Sequence, residues 1–277
     1  MSGRQIWAFG STEPWSGGDV TPSVHCVLAP NPGPMTLDGT NTWVISAPGA
    51  ERAVVIDPGP DDAAHLAAIE QAVERRGCRA IGAVLLTHGH ADHSASAGGF
   101  ARRHGVGVRA LDPALRLGSQ GLAAGDVVDV AGERLDVVHT PGHSSDSVCF
   151  VLRSDPEALV LSGDSVLGRG TAVIHHPDGV LADYLDSLRA LEALVAVLGC
   201  RAMLPGHGPV VHDPATVVAG YHAHRLERLA QVQAALDGGA RSASEVVERI
   251  YAGVDRRLWP AAERSVRAAM AYLRDRS

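Results

Sequence analysis

The fold is decided by one short stretch, residues 87–93, which reads Thr87-His88-Gly89-His90-Ala91-Asp92-His93. It follows the continuous apolar run Ala83–Leu86, which is typical of a buried strand. Three imidazoles and one carboxylate in the stretch are ligand types that Zn²⁺ accepts at about 2.0–2.2 Å. A loop can turn alternate side chains towards two neighbouring metal positions, and Gly89 and Ala91 leave space between them. The stretch therefore predicts a metal-binding loop at the end of a rigid strand.

Three further donors stand where a two-metal site needs them, because four ligands cannot complete two sites. Each follows a predicted short strand and a glycine: His143, Asp164 and His207. The strands that precede them are Leu135–His139, Leu159–Leu161 and Ala202–Leu204. Functional groups usually gather at strand ends when sheets are covered by helices. We therefore expect these three side chains to complete the site that residues 88–93 begin.

The order and spacing of these motifs resemble the metallo-β-lactamase superfamily over about residues 40–210. The run Ala53–Gly59 resembles the first motif of that superfamily, in which Asp57 would support the metal loop. The resemblance implies a fold of mixed α+β and α/β character, a four-layer αββα sandwich. It also implies a first zinc held by His88, His90 and His143, and a second held by Asp92, His93 and His207, with Asp164 as the bridge.

The resemblance implies a dinuclear zinc hydrolase, with iron or manganese as alternative metals. Two Zn²⁺ ions lower the pKa of a bridging water to near neutrality, which supplies hydroxide at about pH 7. That hydroxide would attack a carbonyl carbon or a phosphorus atom while the metals stabilise the developing charge. Asp92 would be the catalytic residue that orients the nucleophile or receives its proton.

Two of the motif positions narrow the chemistry within the superfamily. His90 suits zinc hydrolases, whereas the di-iron, oxygen-reducing branch carries Glu at that position. Asp164 stands where the better-known antibiotic-hydrolysing enzymes carry Cys, so antibiotic hydrolysis is not expected as the main role. Outside the motifs, His139 and the pair His175-His176 are candidates for a role in substrate binding.

Apolar spacing and turn residues place the other elements. Helices are expected over Ala63–Arg75, Ser94–His104 and Leu181–Leu198. Further strands are expected over Thr42–Ser46, Ala53–Asp57, Val106–Ala110, Val127–Val130 and Val148–Leu152. This order of elements indicates two sheets covered by helices.

The C-terminal part differs in character from the rest of the chain. From Asp213 onward three helices are predicted, over Ala215–Leu236, Ala243–Tyr251 and Ala261–Arg274. Residues 213–277 hold 10 Arg against 8 acidic residues, whereas the whole chain has a formal net charge of -7. The segment Asn31–Trp43 resembles the lactamase-beta-like subgroup, which carries a C-terminal winged-helix-like domain. We therefore expect a catalytic domain over residues 1–212 and a small helical, winged-helix-like domain over residues 213–277.

Composition excludes several classes of protein. All 24 basic residues are Arg, so Schiff-base and Ser-Lys mechanisms are not available. The four cysteines have no close pair, which argues against a zinc ribbon or a disulfide framework. Residues 1–20 lack the apolar segment of a signal peptide, and no apolar run is long enough to cross a membrane. A cytoplasmic enzyme is expected, and a homodimer through the helical face stays open.

The substrate is left open between two classes, and two other functions are weighed beside them. Single-stranded RNA would suit a phosphodiesterase, but the acidic net charge and the aromatic content of 4% argue against it. A small-molecule ester or thioester would suit a glyoxalase II-like enzyme or an acyl-carrier thioesterase, and the acidic body favours this class. A mononuclear iron enzyme that oxidises persulfides shares part of the ligand pattern. A non-enzymatic binding module is least favoured, because all seven ligand positions are filled.

Overall fold

The computed structural model describes residues 13–154 and 157–276, apart from the Ser154 side chain. Residues 1–12, which belong to the predicted catalytic domain and to the segment in which no signal peptide is expected, lie outside this description, as does Ser277 of the predicted C-terminal domain. The first sheet has six strands in chain order: β1 (Gly18–Thr21), β2 (Val24–Leu28), β3 (Asn41–Ile45), β4 (Arg52–Ile56), β5 (Ala80–Leu85) and β6 (Val108–Arg109). Strands β1 to β4 pair antiparallel, and β4, β5 and β6 pair parallel.

The second sheet has five strands, arranged in the order β11-β10-β9-β8-β7. Their bounds are β7 (Val127–Val130), β8 (Glu133–His139), β9 (Val148–Ser154), β10 (Glu157–Gly163) and β11 (Ala202–Pro205). All neighbours pair antiparallel except β10 and β11, which are parallel. Strands β1 and β2 are additions to the predicted elements, since their sequence is short and interrupted by Pro22 and the polar His25.

The helices cover the outer faces of the two sheets. Their bounds are α1 (Ala63–Arg75), α2 (Ala91–Ser94), α3 (Ala97–Arg103), α4 (Leu181–Leu198), α5 (Pro214–Asp237), α6 (Ala243–Ile250) and α7 (Trp259–Arg274). Short 3₁₀ turns occupy Pro113–Leu115 and Arg256–Leu258. In the described residues, no helix is both long and apolar enough to pass through a membrane.

Alternation along the strands produces the four layers. On β4, Val54 and Ile56 belong to the core between the two sheets, whereas Ala53 and Val55 belong to the core beneath α1 and α3. Successive residues of a strand point to opposite faces, so a strand that is buried on both sides has a continuous apolar sequence. The predicted αββα sandwich is confirmed.

The predicted helix Ser94–His104 is wrong in its extent, and so is the expectation that the metal-binding stretch is all loop. Asp92 and His93 lie in the single helical turn α2, and a break follows before α3 begins at Ala97. At the break, the backbone amide and the hydroxyl of Ser96 both donate to the carbonyl of Gly59. This carbonyl replaces the intrahelical acceptors, so the chain turns and the helix starts again.

The C-terminal helices share a core with the second sheet. Val160 and Met203 from the sheet, Leu188 from α4 and Val218 and Val246 from the C-terminal region belong to one buried apolar cluster. The helical character of the C-terminal region agrees with the sequence analysis. The boundary at residues 212/213 stays a prediction.

Candidate metal centre

Four strand ends bring the seven predicted ligands to one edge of the sandwich. The turn after β5 carries His88, His90, Asp92 and His93, and the turns after β8, β10 and β11 carry His143, Asp164 and His207. The side chain of Asn41 on β3 ties the last turn down, because its amide donates to the carbonyls of Pro205 and Gly208. The site therefore rests on strands of both sheets.

The first group of donors consists of three imidazoles, His88, His90 and His143. The Nδ1 atom of His90 lies 3.0 Å from His88 Nε2 and 2.9 Å from His143 Nε2. On the far side of its ring, His143 Nδ1 lies 2.7 Å from the Val173 carbonyl, which can only accept a hydrogen bond. This contact places the proton on Nδ1 and leaves the Nε2 lone pair directed at the site, as a metal ligand requires.

The pKa values of these three histidines favour the neutral, metal-binding form. Burial lowers the pKa of His143 to about 3. Burial, together with the neighbouring imidazoles of His93 and His143, holds the pKa of His88 well below its usual range. Burial also lowers the pKa of His90. All three rings are therefore free of the competing proton near neutral pH.

The second group consists of Asp92, His93 and His207 and carries charge. His207 Nε2 lies 3.2 Å from both Asp92 Oδ2 and His93 Nε2. Burial opposes protonation of His207, but the carboxylates of Asp164 and Asp92 outweigh it and raise the pKa of His207 to about 10. A metal that binds here must displace that proton, so metal binding at this group releases a proton.

Asp164 lies between the two groups. Its Oδ2 atom is 3.8 Å from His143 Nε2 and 3.5 Å from His207 Nε2, and its Oδ1 atom is 3.5 Å from His93 Nε2. Burial opposes ionisation of Asp164, but the nearby His207 and His93 hold the pKa of its carboxyl group well below the usual range. Oδ1 is buried and has no hydrogen-bond partner among the described residues. A buried carboxylate oxygen without a donor is costly unless a cation binds it.

The donor set fits two metal ions. Within each group, one ligand atom per residue lies within 4.8 Å of the others, and imidazole nitrogen and carboxylate oxygen suit Zn²⁺, Fe and Mn. The unpaired Oδ1 of Asp164 lies near His93 of the second group, and its Oδ2 lies near His143 and His207 of the two groups. We assign His88, His90 and His143 to one ion and Asp92, His93 and His207 to the other as a proposal, with Asp164 shared.

Asp57 supports the cluster from behind. One carboxylate oxygen accepts from the Thr87 amide at 2.8 Å, and the other accepts from the Thr87 hydroxyl at 2.6 Å and lies 3.0 Å from His93 Nδ1. The same oxygens lie near His88 and His93 in a geometry that could hold a metal ion. Because both oxygens are already occupied, we interpret Asp57 as an orienting residue. Its φ of 51° is uncommon for a residue with a side chain and indicates a strained, functional position.

Gly206 keeps the space that the cluster occupies. A Cβ atom at this position would lie 2.4 Å from Asp164 Oδ1 and 2.7 Å from His93 Cε1. Both distances are far shorter than van der Waals contact, so any side chain here would displace the ligands of both groups. The glycine before His207 in the sequence therefore has a steric reason.

Residues 35–207 match the metallo-beta-lactamase superfamily. The chain belongs to this superfamily. Residues 242–276 match the beta-lactamase associated winged helix domain, which agrees with the helical C-terminal region. The chain is therefore a metal-dependent hydrolase.

Curated relatives are similar to this member of the metallo-beta-lactamase superfamily over most of its length. An atrochrysone carboxyl ACP thioesterase from Aspergillus fumigatus is 34% identical over 254 residues, which cover 84% of this chain and 74% of the relative. A lactamase-like protein, adaB, from Aspergillus niger is 32% identical over 250 residues, which cover 85% of this chain and 75% of the relative. A solved metallo-beta-lactamase family protein from Thermus thermophilus has the same fold, with a TM-score of 0.78, 23% identity and coverage of 93% of this chain and 95% of that chain.

A cavity of about 690 Å³ opens beside the metal centre of this superfamily member. His143 and Asp164 lie on one side of it. Three other parts of the chain complete its wall: residues 34–37, residues 167–173, and the C-terminal helices with their connections. This wall was not predicted from the sequence, because its residues come together only through packing of the C-terminal region on the second sheet.

Two of the additional histidine candidates lie in different environments. The His175 ring lies 4.3 Å from the His90 ring and 4.9 Å from the His143 ring, between centroids, so it packs directly against two predicted ligands. His139 lies away from the cluster, and its Nε2 is 3.1 Å from the Ser145 carbonyl. Of these two residues, His175 is the one placed to position the metal-binding rings.

Proposed function

We propose that this chain is a dinuclear zinc thioesterase that hydrolyses an acyl group carried as a thioester on a phosphopantetheine-bearing carrier. Relatives that are named as ACP thioesterases support this proposal over 84% of the chain. The supporting observation on the molecule itself is the cavity that opens onto His143 and Asp164. A thioesterase needs an apolar space for the acyl chain immediately beside the group that is attacked.

The cavity wall is apolar for much of its extent. The apolar side chains on it come from the segment at residues 34–37, from residues 167–173 and from the C-terminal region: Met35, Leu37, Leu167, Val173, Ile250, Tyr251, Val254, Leu258, Ala261 and Ala262. Such a wall stabilises a bound acyl chain by removing it from water, at about 25 cal/mol per Å² of apolar area. Single-stranded RNA would instead require exposed stacking platforms along a basic groove.

Bound metal ions would supply an activated water and stabilise negative charge on the substrate. The chain's own residues fix the geometry around that chemistry. Asp92 is the most exposed carboxylate of the cluster, with 31% of its side chain accessible, compared with 11% for Asp164 and 1% for Asp57. Burial opposes ionisation of Asp92, but the neighbouring His207 and His93 lower the pKa of its carboxyl group to about 2. Asp92 is therefore an ionised and partly accessible acceptor, which can orient a water at the metal centre and accept its proton.

A complete second donor group favours two metal ions over a mononuclear site. Asp92, His93 and His207 form a compact set of their own, and Asp164 is shared between this set and the three imidazoles. A mononuclear iron enzyme would use only one of the two donor groups, although both consist of ligand types that metal ions accept.

The proposal is tested by metal analysis together with a substrate panel. We expect about two zinc ions per chain, as the dinuclear assignment requires. The panel contains hexanoyl-N-acetylcysteamine, S-D-lactoylglutathione and a single-stranded RNA, each with and without a chelator. The expected result is chelator-sensitive release of thiol from the acyl thioester.

Chelator-sensitive RNA cleavage without thioester hydrolysis would contradict the proposal and place the enzyme among ribonucleases. About one iron ion per chain and no hydrolysis of any substrate would contradict the dinuclear assignment. Preference for S-D-lactoylglutathione over the acyl thioester would keep the thioester chemistry but replace the carrier by glutathione.

A further inference from the structure

Arg225, on α5, is a buried cation on the wall of the cavity. Only 6% of the residue is accessible, although it lies on the same cavity wall as the metal ligands His143 and Asp164. Arginine is almost never buried to this extent without a partner of opposite charge.

The partners of Arg225 are all uncharged. Its Nη2 atom donates to the carbonyl of Ala172, and its guanidinium carbon lies 5.2 Å from the centre of the Tyr184 ring. Its Nε atom is buried and has no hydrogen-bond partner in the described part of the chain. In residues 13–153 and 157–276, no carboxylate lies within ion-pair distance of this guanidinium group.

The other arginines on the cavity wall, and the Asp255 carboxylate, have side-chain partners. Arg169 Nη2 donates to Asp38 at 2.7 Å, and Arg228 Nη1 donates to Gln231 at 2.7 Å. The Asp255 carboxylate, which also lines the cavity, is held by Arg257 at 2.6 Å. The positive charge of Arg225 is therefore not balanced locally, and the cavity beside it is a space that a ligand can occupy.

We infer that Arg225 determines substrate specificity by binding a carboxylate at the end of the acyl group remote from the thioester; this inference rests on the thioesterase function proposed above. A guanidinium group pairs with a carboxylate through two parallel hydrogen bonds, which gives both energy and orientation. Such a ligand would supply the counter-charge that Arg225 lacks. The substrate class is thus an acyl thioester of a dicarboxylic acid.

An acyl carboxylate fits this position better than the phosphate of the carrier arm. The carrier protein remains outside the enzyme, so the phosphate next to it stays near the mouth of the cavity. Arg225 is 94% buried and contacts Tyr184, whose hydroxyl donates to Ser165, the residue next to Asp164. A group bound there lies deep in the cavity, on the acyl side of the reacting bond.

The test compares two thioesters of equal chain length, glutaryl- and pentanoyl-N-acetylcysteamine, with the zinc-loaded enzyme. We expect kcat/KM of the unaltered enzyme to be about tenfold higher or more for the glutaryl thioester than for the pentanoyl thioester. A preference of this size corresponds to the contribution of one charge-assisted hydrogen bond. Arg225→Gln should abolish this preference by lowering kcat/KM for the glutaryl thioester. It should leave kcat/KM for the pentanoyl thioester within about threefold of that of the unaltered enzyme. Arg225→Lys keeps the charge and should retain part of the preference.

Arg249→Gln is the matched control, because Arg249 also donates to backbone carbonyls, of Ala235 and Gly238, but is exposed and lies outside the cavity. It should leave the preference unchanged. Equal kcat/KM for both thioesters in the unaltered enzyme would overturn the inference while leaving the thioesterase function intact, whether or not Arg225→Gln folds. Equal loss of both activities in a folded Arg225→Gln enzyme would also overturn it, since it would show a structural role.

A second pair of substrates tests whether Arg225 binds the phosphate of the carrier arm. If pentanoyl-phosphopantetheine is preferred over pentanoyl-pantetheine, and Arg225→Gln removes that preference, the assignment to the acyl end is overturned. Hydrolysis of none of these thioesters by the zinc-loaded enzyme would instead refute the proposed function, and the inference would fall with it.

Discussion

The metal centre and the cavity wall lie next to each other but are built in opposite ways. The donors of the metal centre follow strand ends, and the Nδ1 atoms of His93, His207 and His143 are held by Asp57, Gly39 and Val173, respectively. The outer wall of the cavity comes from helices and their connections, with partly accessible side chains such as Met35 and Leu258. Catalysis at the metal centre requires a fixed geometry of the donors, whereas substrate binding at the cavity wall requires only a surface of suitable shape and charge.

This difference predicts how substitutions divide between the two regions. Changes at the metal centre should lower metal content and kcat together for every substrate, because all substrates use the same metals. Changes at the wall should leave metal content intact and act on KM in a manner that depends on the acyl group.

Asp164→Ala should have the largest effect. It removes the carboxylate that lies between the two donor groups, and leaves His207 and His93 with less compensating charge. We expect loss of hydrolysis well beyond the roughly 10–100-fold typical of outer-sphere partners, together with loss of bound metal. Metal analysis measures the loss of bound metal, and thioester turnover measures the loss of hydrolysis.

Asp136→Ala is the matched control, because Asp136 lies on β8 and pairs with Arg153. Unchanged turnover in the Asp164 variant would show that the bridging assignment is wrong.

The clustering of the candidate ligands could be predicted from the sequence because most of the pattern is local. His88, His90, Asp92 and His93 lie within six residues, and the remaining donors each follow an apolar run and a glycine. The αββα fold followed from the same motifs through the resemblance to the superfamily. Strand-by-strand prediction was less complete, since β1 and β2 are short and β2 carries a polar residue in its middle.

The cavity wall could not be predicted, for a physical reason. Arg225 and Leu258 have sequence environments that are typical of ordinary amphipathic helices and their connections. Their position beside Asp164 depends on how the C-terminal helices pack on α4 and the second sheet. That packing is a long-range property, and no local periodicity encodes it. The break between α2 and α3 was missed similarly, because it depends on the distant Gly59 carbonyl.

Gly206→Ala should have the second largest effect. The added methyl group would overlap Asp164 Oδ1 and His93 Cε1, so the backbone must move before either group can bind metal. We expect weaker metal binding and a loss of turnover of about 10–100-fold, comparable to removal of a supporting partner. Gly99→Ala on α3 is the control, because a Cβ at that position would meet nothing within 4 Å. Normal zinc content in the Gly206 variant would contradict the prediction, since it would show that the candidate ligands can make room for the added methyl group and still bind metal.

Asp57→Ala should weaken the metal centre without removing a ligand. It deletes the acceptor for the Thr87 amide and hydroxyl and the partner of His93 Nδ1. Loss of such an orienting carboxylate typically costs about 10–100-fold in metal affinity or activity, and excess zinc should restore part of the turnover. The control is Asp62→Ala, which removes the cap of α1 and should lower the free energy of unfolding by about 0.5–2 kcal/mol with zinc affinity unchanged. A zinc titration in the presence of a competing chelator measures the affinities.

Leu258→Ala should have the smallest effect and the most selective one. Leu258 is partly buried on the cavity wall and is not among the metal-binding residues. Each methylene that a bound acyl chain buries contributes about 0.8 kcal/mol, so a partial loss of contact should raise KM for a hexanoyl thioester about three- to tenfold. The KM for an acetyl thioester and the zinc content should stay unchanged, because an acetyl group does not extend to this wall.

Leu226→Ala on α5 is the control, since that side chain is 45% exposed and lies outside the cavity. If the acetyl and hexanoyl thioesters lost activity equally, the wall would act on the metal centre as well, and the separation between the two regions would not hold.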